Sequence, residues 1–219
     1  MKRFATFVLS LALAGCNSTG QSDFAQFYQA ARQSFATSFG SGRVTKDQAA
    51  AIPYASIGYR LNDGAEQLLV LATDANGEQL WTSNAHIVIV TRGGRIARTV
   101  GLPQDVSAVT PQTGLQLPAI AAALKGTETY TRLEDFPDLP AYGAAIICTA
   151  VSKGRETIAV LGRGISTARI DEACRSAELK WTFTDNYWLD PDSGLVWRSV
   201  QHIHPKGGKI EIETFRPPG

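Results

Sequence analysis

The sequence predicts a mainly β protein, an antiparallel sandwich or barrel built as two related lobes with a short helix near the N-terminus. Three observations predict it. Strand-like runs recur from Ala55 to Phe215, with turn residues about every 8–12 positions. Asn62-Asp63-Gly64 and Gly93-Gly94 stand between such runs, where tight hairpins need positive φ. The chain also nearly repeats itself. Trp81, Ser83, His86, Ile87, Gly93, Gly94, Arg95 and Ile96 answer to Trp197, Ser199, His202, Ile203, Gly207, Gly208, Lys209 and Ile210. These are the positions a hairpin uses: a core aromatic, alternating apolar residues and a glycine turn. The repeat therefore reads as a duplicated β-unit rather than a duplicated site.

The elements follow in order. Ser22 or Asp23 can cap a helix in which Phe24, Phe27, Tyr28, Ala31, Phe35 and Phe39 fall at helical spacing, before Gly40 and Gly42 end it. Thr45 and Gln48 form a capping box opening one more short turn before Pro53. The period then changes to two. Residues 55–61, 67–73, 80–83, 87–91 and 95–100 read as a meander of five strands. Residues 105–118 read as a connector and 119–124 as a short helix. A second run of strands is expected at 128–133, 142–151, 157–161, 179–189, 195–204 and 209–215, with a short helix at 169–177. The two lobes span about 52–110 and 127–219.

The start of the chain carries the clearest signal. Lys2-Arg3 precedes an apolar run, Phe4 to Ala14, of about eleven residues, which suits a signal-peptide core and is too short to span a bilayer. It ends in Leu13-Ala14-Gly15-Cys16, the pattern of a bacterial lipobox, with the Cys16 thiol as lipid acceptor. Residues 1–15 are the expected signal peptide, 16–22 a lipidated tether, and 23–219 the mature domain. Each buried acyl methylene contributes about 0.8 kcal/mol, so two or three chains anchor a protein stably. Asn17, rather than Asp, follows the anchor, which points to the periplasmic face of the outer membrane. Cys148 and Cys174 then remain as an even pair in an oxidising compartment, and a disulfide between them is expected.

Composition excludes one class of partner. The formal charge of +1 and the absence of a basic run leave nothing to neutralise nucleic-acid phosphates. Candidate chemistry is sparse. His202-Ile203-His204 puts two imidazoles on one strand face, with Asp190 or Asp192 as a third ligand in principle, but they read as surface or core histidines. Asp185, Asp190 and Asp192 surround Tyr187-Trp188, and Glu134, Asp135 and Asp138 surround Phe136. Carboxylates flanked by aromatics are the material of a glycosidase cleft. Asp190-Pro-Asp-Ser-Gly194 is equally an ordinary turn composition, and that reading is preferred. No nucleophile elbow and no phosphate-cradling glycine loop occurs in the chain. No catalytic site, metal or cofactor is expected. Tyr187, Trp188 and Trp197 are kept as candidate sugar contacts.

Cys16 in its lipobox, Ile52-Pro-Tyr-Ala-Ser56, Trp81, Gly94-Arg95-Ile96 with Thr99, and Gly101-Leu-Pro103 form an ordered set. It continues through Asn186-Tyr-Trp-Leu-Asp190, Gly194, Trp197, Ser199 and Gln201 to Pro217-Pro218. In this the chain resembles the YjbF-type lipoproteins, which include the GfcB-type lipoproteins of group-four capsule operons. The resemblance implies a fold of two similar pseudo-barrel subdomains and a lipoprotein encoded with genes for exopolysaccharide or capsule export. It implies as partners an outer-membrane barrel protein and further periplasmic proteins, and carries over no catalytic residues. The expectation is a non-enzymatic accessory of polysaccharide export; a polysaccharide-binding module and a polysaccharide-modifying glycosidase are the alternatives.

Overall fold

The structure, a computed structural model, describes residues 42–219. The signal peptide, the tether with Cys16 and the aromatic-striped helix expected at 24–39 lie outside the described residues. Helix α1 (Lys46–Ala50) starts where the Thr45 hydroxyl accepts the Gln48 N–H and the Gln48 side chain accepts the Thr45 N–H, the expected capping box. Twelve strands follow: β1 (Ser56–Leu61), β2 (Gln67–Ala75), β3 (Glu78–Thr82), β4 (Val88–Arg92), β5 (Arg95–Val100), β6 (Ala108–Pro111), β7 (Glu128–Asp135), β8 (Ala144–Val160), β9 (Arg163–Ser176), β10 (Trp181–Leu189), β11 (Val196–His202) and β12 (Lys209–Arg216). A 3-10 turn, Ile120–Leu124, precedes β7.

All twelve strands belong to one antiparallel sheet, in the order β5-β4-β3-β2-β1-β12-β11-β10-β9-β8-β7-β6. Neighbours in the sheet are thus neighbours in sequence, and β1 pairs with β12 to carry the ring past the chain's two ends. The ring opens at one seam, between β5 and β6. There the Thr99 N–H donates to the Val106 carbonyl at 2.9 Å. Asp105 ties the connecting loop by accepting from the Thr99 hydroxyl and the Gly101 and Leu102 N–H groups. The result is a nearly closed barrel-like sheet. The sheet does not break between the two segments expected as lobes, because β1 of the first pairs with β12 of the second. The interior does hold separate apolar clusters. One gathers Ile57, Leu69, Trp81, Ile89, Phe136 and Ile210, and a second gathers Ile120, Ile170, Tyr187 and Leu189.

The two copies of the repeat fold differently. Trp81 lies on β3, Ser83 and His86 lie in the β3–β4 turn, and β4 intervenes before Gly93-Gly94. Trp197, Ser199 and His202 all lie on the single strand β11. His86, in the left-handed region at φ 60°, therefore has no structural counterpart in His202. The glycine turns were legible, since Gly93 and Gly94 have φ 56° and 83°. A Cβ on Gly94 would stand 2.4 Å from Val196 Cγ2, because this turn rests on β11. Gly94→Ala is expected to cost about 1–2 kcal/mol from the left-handed backbone before any clash is counted. The check is a lower urea midpoint with an unchanged m-value.

Three elements depart from expectation. Where a helix was expected at 169–177, residues 169–176 belong to strand β9 and Ala177 starts the turn after it. Their mixed composition permits helix, but Ala168, Ile170, Glu172, Cys174 and Ser176 are buried in alternation, and pairing on both sides overrides local preference. The strands expected at 142–151 and 157–161 are one strand, β8, because β9 pairs across the polar stretch between them with a bulge at Ser152/Gly154. The connector at 105–118 contains β6.

Beyond residue 150, β8 has left β7, and before Ala168, β9 has no β10 partner. This free hairpin, residues 151–167, folds as a strap over the outside of the barrel. Leu161 packs with Phe215 against the cluster of Val44, Ala49, Ile52, Leu68 and Val70, and Arg198 Nη2 donates to the Ala159 carbonyl at 2.6 Å. Cys148 and Cys174 are directly opposed on β8 and β9, with sulfurs 2.05 Å apart and Cα atoms 4.1 Å apart.

Candidate functional site

Strand alternation builds a polar layer inside the barrel. On β7, Tyr130, Arg132 and Glu134 share the inward phase, and β9 adds Glu172. Strand β10 adds Asp185 and Tyr187, β11 adds Ser199 and Gln201, and β5 adds Arg95. Arg132, at 3% exposure, is the hub. Its Nε donates to Glu134 Oε1 at 2.7 Å, Nη1 to Glu172 Oε2 at 2.8 Å and Nη2 to Asp185 Oδ2 at 3.5 Å. Arg95 Nη2 reaches Glu172 Oε1 at 2.7 Å and the Tyr130 hydroxyl at 2.6 Å, and its Nη1 reaches the Pro118 carbonyl. The Tyr130 hydroxyl donates to Glu172 as well. Asp185 Oδ1 accepts from the His202 N–H at 2.7 Å and faces His202 Nδ1 at 3.1 Å.

Two guanidiniums here face three carboxylates, and their environments separate the acids. Burial would raise Glu172, but Arg95, Arg132 and the Tyr130 hydroxyl outweigh it and hold that carboxyl below the usual range. Burial pushes Glu134 up to about 7, with Arg132 only partly compensating, and its Oε2 has no hydrogen-bond partner among the described residues. Asp185 is also raised, again by burial against the pull of His202 and Arg132. The layer is satisfied almost throughout and withdrawn from solvent. It cross-braces the barrel rather than presenting an acid–base pair.

Gln201 extends the brace to the open seam. Its Oε1 accepts the Ile96 N–H at 2.8 Å, while its Nε2 donates to the Gly94 carbonyl at 2.9 Å and to Ser199 Oγ at 2.8 Å. One side-chain amide thus pairs with strand β5 as a neighbouring backbone would. Gly94, Arg95, Ile96, Ser199 and Gln201, which carry the resemblance in the sequence, meet here.

Beside this junction a pocket of about 170 Å³ opens at the end of the barrel. Turns holding Gly77, Gly93 and Gly194 rim it, and Ile57, Trp81, Thr91, Ser199 and Ile212 form its buried walls.

The residues expected to matter fall in different places. Tyr187 is fully buried and its hydroxyl lies 3.3 Å from Gln201 Oε1, so its candidacy as a sugar contact is corrected: it belongs to the core. Trp188 lies on the outer face, flanked by Arg169 and Arg198 at 5.3 and 6.0 Å from the ring, with its N–H donated to Glu156. Trp197 carries Arg163 at 5.4 Å over its ring. Asp190 accepts the Asp192 and Ser193 N–H groups, which hold its carboxyl below the usual range, as in the turn reading. His202 and His204 go to different carboxylates, Asp185 and Asp138, and do not converge on a shared centre. The three-ligand cluster of Cys148, Glu172 and Cys174 has both sulfurs committed to each other. Arg95, Arg132, Glu172 and the pocket residues were missed. The available signal was Tyr130-x-Arg132-x-Glu134-x-Phe136, charged residues in the phase of buried ones.

The family model described as group 4 capsule polysaccharide lipoprotein gfcB, YjbF matches residues 30–215. The chain belongs to this family. Among curated relatives, the uncharacterized lipoprotein GfcB of Escherichia coli (strain K12) is 27% identical over 222 residues, spanning 100% of this chain and 99% of the relative. The uncharacterized lipoprotein YjbF of the same organism is 25% identical over 209 residues, spanning 93% and 92%. The crystal structure of the hypothetical lipoprotein YmcC from Escherichia coli (K12) has a TM-score of 0.70 and 22% identity, covering 94% of this chain and 99% of that one. That likeness speaks for the fold of this YjbF-family chain alone. No helix among its described residues is long and apolar enough to cross a membrane.

Proposed function

We propose that this YjbF-family lipoprotein is held at the periplasmic face of the outer membrane through Cys16. There it acts as a non-enzymatic accessory of capsule or exopolysaccharide export. The observation that carries the non-enzymatic part is the fate of the acids. Asp185 is buried against Arg132 and His202, Asp190 caps a turn, and Glu134 is sealed beside Arg132. A glycosidase needs two carboxyls open to substrate about 5–10 Å apart, and these three are spent on the fold. The lipobox and the family membership support the anchor and the export setting. The partners of this reading are an outer-membrane barrel protein and periplasmic proteins of the same export system.

The test is Cys16→Ala at native expression. The expected result is loss of the protein from membrane fractions and a several-fold fall in surface polysaccharide. Unchanged export with the protein mislocalised sinks the accessory reading, and recovery of the wild type in inner-membrane fractions sinks the outer-membrane placement.

A second reading, direct binding of polysaccharide, is favoured by one observation: the pocket at the Gly94–Ser199 junction, whose mainly apolar wall carries a few polar groups.

A further inference from the structure

We infer that this pocket binds the terminal neutral hexose of a glycan chain. The inference deepens the sugar-binding reading and moves it away from Trp188 and Trp197. Size and shape come first. About 170 Å³ is well below the roughly 300–1,000 Å³ of sites for drug-sized ligands, and suits a single ring. The deep wall is buried, with Ile57 and Trp81 each 2% exposed, whereas the rim is made of exposed turns. Such a pocket admits a chain end and not a segment passing through. Three glycines with positive φ, Gly77, Gly93 and Gly194, let bare backbone stand at the rim without side chains closing it.

The chemistry of the wall selects the ligand. Gln79 Nε2 donates to Asp74 Oδ2 at 3.2 Å, the Thr91 hydroxyl donates to Gln79 Oε1 at 3.4 Å, and Trp81 Nε1 donates to Thr91 Oγ1 at 2.9 Å. This relay fixes the orientation of every member. It leaves the second Asp74 oxygen and the second Gln79 amide hydrogen for a ligand. On the opposite wall, Ser199 Oγ accepts from Gln201, so its own proton is free to donate. Adjacent acceptors and donors of this kind suit vicinal hydroxyls, each of which must give one hydrogen bond and take another. Ile57, Ile212 and Val196 supply the apolar surface that the C–H face of a pyranose covers. Among the described residues Asp74 is the one ionisable side chain in the lining, so a uronate or phosphate meets a like charge there. The class that fits is a neutral hexose.

The test uses the full lipidated chain, labelled with nitrogen-15, in a detergent that contains no sugar. The four tryptophans give four indole N–H signals, and Trp81→Phe assigns the one that matters. Methyl glycosides of glucose, galactose and mannose are titrated, with methyl galacturonate salt as the anionic probe. The expected result is a saturable shift of the Trp81 signal with at least one neutral glycoside. It is weakened about tenfold in Gln79→Ala and in Asp74→Ala, each of which removes one partner of the sugar hydroxyls. Asp74 is exposed, so its variant keeps the fold. No saturable Trp81 shift up to about 50 mM of any neutral probe overturns the inference. So do shifts confined to the Trp188 or Trp197 signals, or equal binding of the galacturonate. The titration depends on neither anchoring nor export. The two proposals therefore fail separately.

Discussion

Arg132→Leu is expected to destabilise the domain by about 3–5 kcal/mol, a large fraction of the roughly 5–15 kcal/mol that keeps a domain folded. The guanidinium is the shared partner of Glu134, Glu172 and Asp185, all at most 1% exposed. Its removal leaves buried carboxylates with, among the described residues, only Arg95 at Glu172 and the His202 ring at Asp185 beside them. The cost comes from stranding those acids, not from losing favourable ion pairs, since a buried pair is close to neutral against a well-packed apolar replacement. Adding Glu134→Gln and Asp185→Asn to Arg132→Leu removes the stranded charge and is expected to restore a substantial part of the loss. Urea unfolding followed by tryptophan fluorescence measures both. A single variant within about 0.5 kcal/mol of wild type shows that the network is not a structural brace.

Glu134 makes stability fall as pH rises. Its folded pKa of about 7 lies above the ordinary carboxyl value, so the native state holds its proton more tightly than the unfolded chain. That contribution is present in full below the unfolded pKa of about 4.5 and is lost as pH climbs to about 7. The groups facing Glu134 are Arg132 from its own strand, Glu172 from β9 and Asp185 from β10. Asp185, also raised by burial, tilts stability the same way, whereas Glu172 is depressed and gives up stability only as pH falls through its folded pKa. At 1.36 kcal/mol per unit, the Glu134 part of the slope is about 2–3 kcal/mol. Glu134→Gln keeps the oxygen that accepts Arg132 Nε and cannot ionise. It is expected to flatten the decline between pH 5 and 8 by that amount and to be the more stable protein at pH 8. Parallel pH profiles for the two proteins overturn the assignment.

The pieces read correctly from the sequence are those with a local cause. Thr45 and Gln48 make a capping box because both partners lie within one turn. Asn62-Asp63-Gly64 and Gly93-Gly94 turn the chain between paired strands, with Asn62, Gly93 and Gly94 taking the positive φ that Asn and Gly tolerate best. Strand β9 was misread because Arg169 to Ala177 satisfies helix locally, and only β8 and β10 on either side make it a strand. The repeat misled for a related reason. Trp-x-Ser-x-x-His is compatible both with a strand entering a turn, as at Trp81, and with an unbroken strand, as at Trp197, and the neighbours choose. Tyr187, Trp188 and Trp197 stand out as candidate sugar contacts because aromatics are visible in a sequence, whereas a pocket lined by glycine turns and a Gln–Thr–Trp relay is not.

The sequence by itself determined that the chain is mainly antiparallel β, that it belongs among the YjbF-type lipoproteins, and where its tight turns fall. Each of these depends on residues close together in the chain or on an ordered set of motifs. The tertiary structure decided that all twelve strands form one ring with a seam between β5 and β6, and that Gln201 braces the β5 edge. It also decided which acids are spent inside and where a pocket remains. Arg132 meets Glu172 and Asp185 across 40 and 53 residues of chain, and Gln201 meets Gly94 across 107. Encounters at that separation are set by the closure of the sheet, which no local pattern of residues encodes.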